Sequence, residues 1–208
     1  MDQLTLIIPA KNEKESLPDV LNELKPYGLK IIIVLEKEDL DTINSIKNFD
    51  CEIIYQINKG YGDALILGIN NVQTVFFCIF NADGSFDPKE LTSMYKLATQ
   101  DKFDFVFGSR YMSGALSEDD TLITLIGNKI FSFIGKIFFA LPITDILYTY
   151  VLGDTKKAKK LNLKEKSFSF CVELPILAKK NNNTMISNPS YERPRIAGFK
   201  KVNALALF

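Results

Sequence analysis

The chain has 208 residues, 47% of them hydrophobic, and a formal net charge of +0, which suits one globular domain, residues 1–208, with an irregular C-terminal extension. Balanced charge argues against a nucleic-acid partner, and the complete lack of histidine removes Ser-His-Asp triads, Cys-His pairs and His-ligated zinc. Cys51, Cys78 and Cys171 are scattered without metal-ligand spacing, as in a reduced, cytoplasmic compartment.

Any acid, base or metal ligand must therefore be a carboxylate, Lys, Tyr or Cys. Met1-Asp2-Gln3-Leu4 lacks a basic region followed by a long apolar core, so no secretory signal is expected. No window of about 18 uncharged apolar residues predicts a spanning helix.

Leu4 to Pro9 reads as an apolar strand that ends in the polar loop Ala10-Lys11-Asn12-Glu13, and Ser16 to Leu24 carries helical spacing. Lys30 to Leu35 is a β-branched strand, followed by an acidic stretch from Glu36 to Asp41 and a helix through Lys47. Glu52 to Gln56 reads as a short strand, and Asn58-Lys59-Gly60-Tyr61-Gly62-Asp63 opens a helix through Asn70. Val75 to Phe80 is a strand apolar on both faces, Pro88 to Thr99 a helix with proline near its first turn, and Phe103 to Phe107 a fifth strand that runs into Gly108-Ser109-Arg110-Tyr111. This alternation predicts a mainly parallel, three-layer α/β/α sheet with right-handed crossovers.

Beyond Tyr111 the alternation breaks. Leu122 to Leu141 is helical, with Asn128, Lys129 and Lys136 at helical spacing, a pattern that is read first as a helix packed against the sheet, with a helix lying on an anionic membrane surface as the alternative. Ile143 to Asp145 reads as a turn or short strand, Ser167 to Lys179 as a helix, and Met185 to Tyr191 as a late edge strand. The tail from Tyr191 to Lys201 gathers Arg193, Arg195, Lys200 and Lys201 in a Pro/Gly loop, which is poor core material and suits phosphate.

The most informative stretch is Asn81-Ala82-Asp83-Gly84-Ser85 at the end of the fourth strand. Ligand crevices of open α/β sheets lie beyond the carboxyl ends of strands, and a carboxylate there suits a hard divalent cation that bridges phosphate oxygens. An Asx turn closed by Gly84 is the plain alternative. Gly60 and Gly62 lack the full dinucleotide fingerprint, because position 65 is Leu65.

Together, Ile8 to Glu13, Asn58 to Leu65, Asn81 to Ser85, Gly108 to Tyr111 and Glu192-Arg193 resemble the motifs of family 2 glycosyltransferases, in family order, and most of all those of the dolichyl- and polyprenyl-phosphate sugar transferases. The resemblance implies a nucleotide-sugar-binding fold of the GT-A type, a divalent cofactor (Mg or Mn), and inverting transfer from a nucleoside-diphosphate sugar to a lipid phosphate or another cell-envelope glycan precursor. It carries nucleotide-sugar binding to Pro9, Ala10, Asn12, Glu13, Glu36, Lys59, Gly60, Asp63, Asn81 and Ala82, and metal binding to Asp83 and Asn81. Catalytic roles fall on Asp83, Arg110 and Asp145, with Asp145 the first candidate base and Asp87 the second. Phosphate or acceptor contacts fall on Arg110, Arg193, Arg195 and Lys200. Residues 1–111 would form the nucleotide-sugar half and residues 112–208 the acceptor half and basic tail.

The chain departs from the family pattern at Leu35 and Asn81, where acidic residues are usual, and at Ile146 to Val151, which replaces a Ser-Gly-Phe-Arg segment near the acceptor site. Homodimerisation and peripheral membrane contact through residues 122–141 stay open. So do two other readings: a nucleotidyltransferase that makes nucleotide sugars, disfavoured because Pro9 to Glu13 holds no glycine, and a non-catalytic nucleotide-sugar binder.

Overall fold

The computed structural model describes residues 1–118 and 122–197. The first two strands, β1 (Leu4–Pro9) and β2 (Lys30–Leu35), have the bounds that their apolar runs predict. They continue with β3 (Glu52–Tyr55), β4 (Phe76–Ile79), β5 (Phe105–Ser109), the short β6 (Leu116–Ser117), β7 (Val151–Asp154), β8 (Met185–Pro189) and the short β9 (Tyr191–Glu192). The helices are α1 (Leu17–Leu24), α2 (Leu40–Ile46), α3 (Tyr61–Asn71), α4 (Glu90–Thr99), α5 (Leu122–Phe139), α6 (Thr155–Lys160) and α7 (Phe170–Lys180).

Seven strands form one sheet in the order β3-β2-β1-β4-β7-β5-β8. The pairs β3-β2, β2-β1, β1-β4 and β5-β8 are parallel, and β7 runs antiparallel to both β4 and β5. The mainly parallel sheet is thus as expected, with β8 at its edge, but β7 is a strand that the alternation did not predict. It enters where Val151-Leu152-Gly153 can pass between two apolar strands: a Cβ at Gly153 would lie 2.6 Å from Phe105 and 2.8 Å from Phe77.

Strand alternation divides the core. Leu6, Ile8, Cys78, Phe80, Val106 and Leu152 face α1, α2 and α4 through Leu17, Leu21, Ile46, Leu91 and Met94. Ile7, Phe77, Ile79, Phe105, Phe107 and Val151 face α3, α6 and α7 through Leu65, Ile69, Ala158, Phe170 and Leu174. Each fully buried Phe or Leu contributes about 1.5–3 kcal/mol relative to exposure, so the two faces hold the sheet from both sides. Four of the parallel strands, β1, β2, β4 and β5, end at one rim, where the loops that carry Asn12, Glu36, Asp83 and Arg110 meet.

Gly153→Ala is expected to cost about 1–3 kcal/mol through overpacking against Phe77 and Phe105, measured by urea denaturation at constant m-value; an unchanged midpoint would contradict the wedged position of β7.

Candidate functional site

The rim is built from β1 outward. Ala10 N–H donates to the Val34 carbonyl at 2.9 Å, which keeps the chain in sheet register one residue past Pro9. Asn12 then adopts φ +53, a left-handed conformation that Asn tolerates better than most residues, and its N–H donates to Asp39 Oδ2 at 2.7 Å. Glu13 is buried; its N–H donates to Thr42 Oγ1 and its Oε2 accepts from Ser16 Oγ at 2.6 Å. Lys11 Nζ meets Glu36 Oε1 at 2.7 Å, and this hydrogen bond holds the Glu36 carboxyl below its usual pKa. Pro9, Ala10, Asn12, Glu13 and Glu36 are therefore gathered at one rim, whereas Leu35 is fully buried in the core.

Gly60 and Gly62 allow a close approach by another part of this chain. A Cβ on Gly60, at φ +128, would lie 2.1 Å from the Lys166 carbonyl, and one on Gly62 the same distance from the Glu165 carbonyl. Asp63 N–H donates to the Lys166 carbonyl at 3.1 Å, and its carboxylate faces Asn58 Nδ2 and Lys166 Nζ. The glycines thus admit the 165–167 segment of this same chain, and Lys59 stands exposed beside them.

Asp83 sits in a loop pinned from below and above. Its Oδ1 accepts the Ser85 N–H at 3.0 Å, the Asx turn foreseen as the plain alternative, while its Oδ2 faces Arg195 Nη1 at 3.0 Å. Ala82 is buried and Asn81 half-buried, with Asn81 Nδ2 on Ser85 Oγ at 3.0 Å. Beneath the loop, Phe86 stacks on Tyr150 at 4.5 Å between centroids, with Phe80 and Tyr148 edge-on.

Residues 190–196 form a strap over this loop, fastened almost residue by residue. Ser190 N–H donates to the Ser109 carbonyl, Arg193 N–H to the Ser85 carbonyl, and Ile196 N–H to the Asp83 carbonyl. Tyr191 N–H donates to Glu90 Oε1 at 2.6 Å. The Arg193 guanidinium grips both oxygens of Glu23 and the carbonyls of Gly84 and Phe86, and the Ile196 side chain lies over Gly84, whose φ of +82 disfavours any side chain. Lys200 lies outside the described residues.

Arg110 and Asp145 are not placed as expected. Asp145 is fully buried, and both its oxygens are taken by Arg110, at 2.7 Å from Nε and 3.1 Å from Nη2. The third guanidinium nitrogen, Nη1, reaches Glu192 Oε2 at 3.2 Å. Burial alone would depress the Arg110 pKa, but the charge and hydrogen bonds of Asp145, with Glu192, outweigh it and hold the guanidinium well above its usual value. Tyr148 lies against Arg110, 4.6 Å from ring centroid to guanidinium carbon. In this geometry the pair is a strut that ties the strap to the sheet, because a base needs an accessible oxygen and a phosphate grip an outward guanidinium. Asp87, the second candidate base, accepts the Lys89 N–H in a turn of its own.

Two participants had no assignment in the sequence reading, Glu90 and the pair Tyr148 and Tyr150. The tyrosines were signalled by the period of two in Tyr148-x-Tyr150-x-Leu152, which continues into β7 on one face of the core. Nothing in the sequence marks Glu90. Its Oε2 is buried without a hydrogen-bond partner among the described residues, and desolvation pushes its pKa up to about 7, with Asp87 adding and Ser190 and Arg193 opposing. A concavity lined by Leu21, Lys25, Lys30, Phe49 and Glu52 lies at the opposite end of the strands and contains none of these residues.

With the rim defined, comparison with known proteins identifies the family. The model for glycosyl transferase family 2 matches residues 5–161. The chain belongs to that family. It is 28% identical over 187 residues to an uncharacterized protein of Methanocaldococcus jannaschii, covering 86% of this chain and 77% of that one. It is also 28% identical over 201 residues to the UDP-N-acetylglucosamine–dolichyl-phosphate N-acetylglucosaminyltransferase of Methanococcus voltae, covering 85% and 80%. Glucosyl-3-phosphoglycerate synthase of Mycobacterium tuberculosis, crystallised with Mn2+, UDP and glucosyl-3-phosphoglycerate, superposes with a TM-score of 0.75 at 12% identity, over 99% of this chain and 75% of that one. The fold is the nucleotide-sugar-binding GT-A type.

The donor set at Asp83 bears on a metal. Among the described residues no group of three or more His, Cys, Asp or Glu side chains converges, so a divalent cation would rest on Asp83 and the neutral oxygen of Asn81. It would take its other ligands from a diphosphate and water, a division common for Mg2+. Both Asp83 oxygens are engaged, Oδ1 by the Ser85 N–H and Oδ2 by Arg195 Nη1, so a cation that arrives with the diphosphate would fit only by drawing Oδ2 away from Arg195.

Removing Asp145 (Asp145→Ala) leaves Arg110 buried without its main counter-charge and should cost roughly 3–5 kcal/mol in urea denaturation; loss of activity with unchanged stability would instead restore Asp145 as a base. Glu90 sets a pH trend. Its folded pKa of about 7 exceeds the ordinary 4.5, so its contribution to stability is fully present below pH 4.5 and lost as pH rises through 7. Thermal melts should show wild-type stability falling from pH 5.5 to 8 more steeply than that of Glu90→Gln.

Proposed function

We propose that the chain is an inverting glycosyltransferase that moves a sugar from a nucleoside-diphosphate sugar to a lipid phosphate of the polyprenyl or dolichyl type. The observation that carries this reading is the Asp83 carboxylate at the end of β4, flanked by Asn81 and faced by Arg195 across 3.0 Å. Family membership supports glycosyl transfer, and the name of the Methanococcus voltae relative supports a lipid-phosphate acceptor.

Transfer requires negative charge on the departing diphosphate to be neutralised as the anomeric bond breaks. Arg195 supplies one positive charge at the mouth of the site, and Asp83 with Asn81 would hold a Mg or Mn ion that supplies more. The Lys11-Glu36 pair and the backbone around Asn12 and Glu13 would receive the nucleoside, in the half formed by residues 1–111. The acceptor half would begin at residue 112.

The state of Asp145 favours a phosphate nucleophile over a hydroxyl. A hydroxyl acceptor needs a base to take its proton, whereas a phosphate monoester, with its second pKa near about 6, is already anionic at neutral pH. A site whose candidate base is spent on Arg110 suits the second case.

Thermal shift with UDP-, GDP- and dTDP-sugars, with and without Mn2+ or Mg2+, should single out one donor; saturation at 100 times Kd adds about 2.7 kcal/mol of stability. With that donor and a polyprenyl phosphate, Asp83→Ala should lower turnover by about 10²-fold or more. Turnover that survives both Asp83→Ala and EDTA would end the proposed role of Asp83 and the metal. Binding without turnover on any acceptor would leave a non-catalytic nucleotide-sugar binder.

A further inference from the structure

The helix α5 is amphipathic in the reverse sense. Its protein side carries Asn128, Ser132 and Gly135: Asn128 Nδ2 donates to Tyr111 Oη at 2.9 Å, Ser132 Oγ accepts the Ile146 N–H at 3.1 Å, and Gly135 lies against Leu141 and Ile146. Phe131 is tucked against the core. The opposite side presents Ile126, Ile130, Phe133, Ile134, Ile137 and Phe138 to solvent, with Phe133 62% and Phe138 74% exposed. At 3.6 residues per turn these six fall on an arc of about 140°. Packing against Tyr111, Leu141 and Ile146 thus accounts for the small and polar residues of this helix and leaves the six apolar ones facing solvent.

Exposed apolar surface of this extent marks an interaction site, and charge selects the occupant. Residues 122–139 contain Lys129 and Lys136 and no Asp or Glu. Both lysines are exposed, seven residues apart, on one flank of the apolar arc. A second copy paired on this face would bring four ammonium groups together with no carboxylate from either helix to balance them. An anionic lipid surface balances them and takes the apolar side chains into its acyl boundary. No helix among the described residues is long and apolar enough to cross a membrane.

We propose that α5 is a membrane-surface docking element, lying in the plane of an anionic bilayer with Ile126, Ile130, Phe133, Ile137 and Phe138 inserted and Lys129 and Lys136 at the headgroups. The helix is rooted beside the site: its Asn128 is bonded to Tyr111, the residue after Arg110. Docking this face sets the Asp83 rim at a bounded distance from the lipid surface, whatever the acceptor proves to be.

The chain contains no tryptophan, so Phe138→Trp in the full chain gives a single reporter. Vesicles of phosphatidylcholine with phosphatidylglycerol should shift its emission to the blue and allow quenching by brominated acyl chains; pure phosphatidylcholine should bind more weakly, by about fivefold per lysine. Co-sedimentation of the protein with Phe133→Ser and Phe138→Ser should weaken about tenfold or more for each ring removed, with circular dichroism and the melting temperature unchanged because both rings are exposed. Failure to bind anionic vesicles, or binding untouched by these substitutions, would overturn the proposal. So would a blue shift that grows with protein concentration in lipid-free buffer alongside a dimer in sedimentation equilibrium, which would assign the face to a second copy.

Discussion

The buried ion cluster of Asp145, Arg110 and Glu192 is the constraint on which the site depends. It joins three segments far apart in sequence: the end of β5, the turn before Tyr148, and the strap beyond β8. Two carboxylates on one guanidinium, stacked on Tyr148, would be costly to bury singly; together they satisfy one another. Ser117 adds a hydrogen bond to Glu192, and the short ladder of β6 and β9 adjoins it. Whatever chemistry occurs at the rim, this cluster decides where the strap runs and so where Arg193 and Arg195 stand.

The strap then shapes the Asp83 loop from above, as the aromatic cluster of Phe80, Phe86, Tyr148 and Tyr150 shapes it from below. Backbone bonds from Arg193 and Ile196 to the Ser85 and Asp83 carbonyls treat the loop almost as a strand partner. The two arginines have different tasks in consequence. Arg193 is committed to Glu23 and two carbonyls and fastens the strap, while Arg195 holds its charge against Asp83. A ligand that brings both phosphate and a cation would have to part this pair, with Arg195 turning to the phosphate and Asp83 to the cation.

The outer surface follows from the same assembly. The stretch from Leu141 to Tyr150 must stay close under α5 to deliver Asp145 to Arg110, and the small side chains at Ser132 and Gly135 permit that approach. The bulky residues of α5 are thereby turned outward. Site and surface are two sides of one packing arrangement, which explains how a helix as apolar as Leu122–Phe139 leaves much of its apolar side to solvent.

Much of this fold could be read locally. The bounds of β1 and β2 match their apolar runs, and the helix through Thr99, the edge strand at Met185 and the rim position of Asp83 follow from periodicity and from where strands end. These features depend on neighbours within a few residues, and a side-chain pattern records them. The insertion of β7 between β4 and β5, the filling of Gly60 and Gly62 by the chain near Lys166, and the capture of Arg110 by Asp145 depend on partners 35 or more residues away. An arginine after a strand looks the same in sequence whether its counter-charge is a phosphate or a buried aspartate. Tertiary packing decided that, because it alone determines which carboxylate lies within 3 Å of the guanidinium and which water can no longer reach.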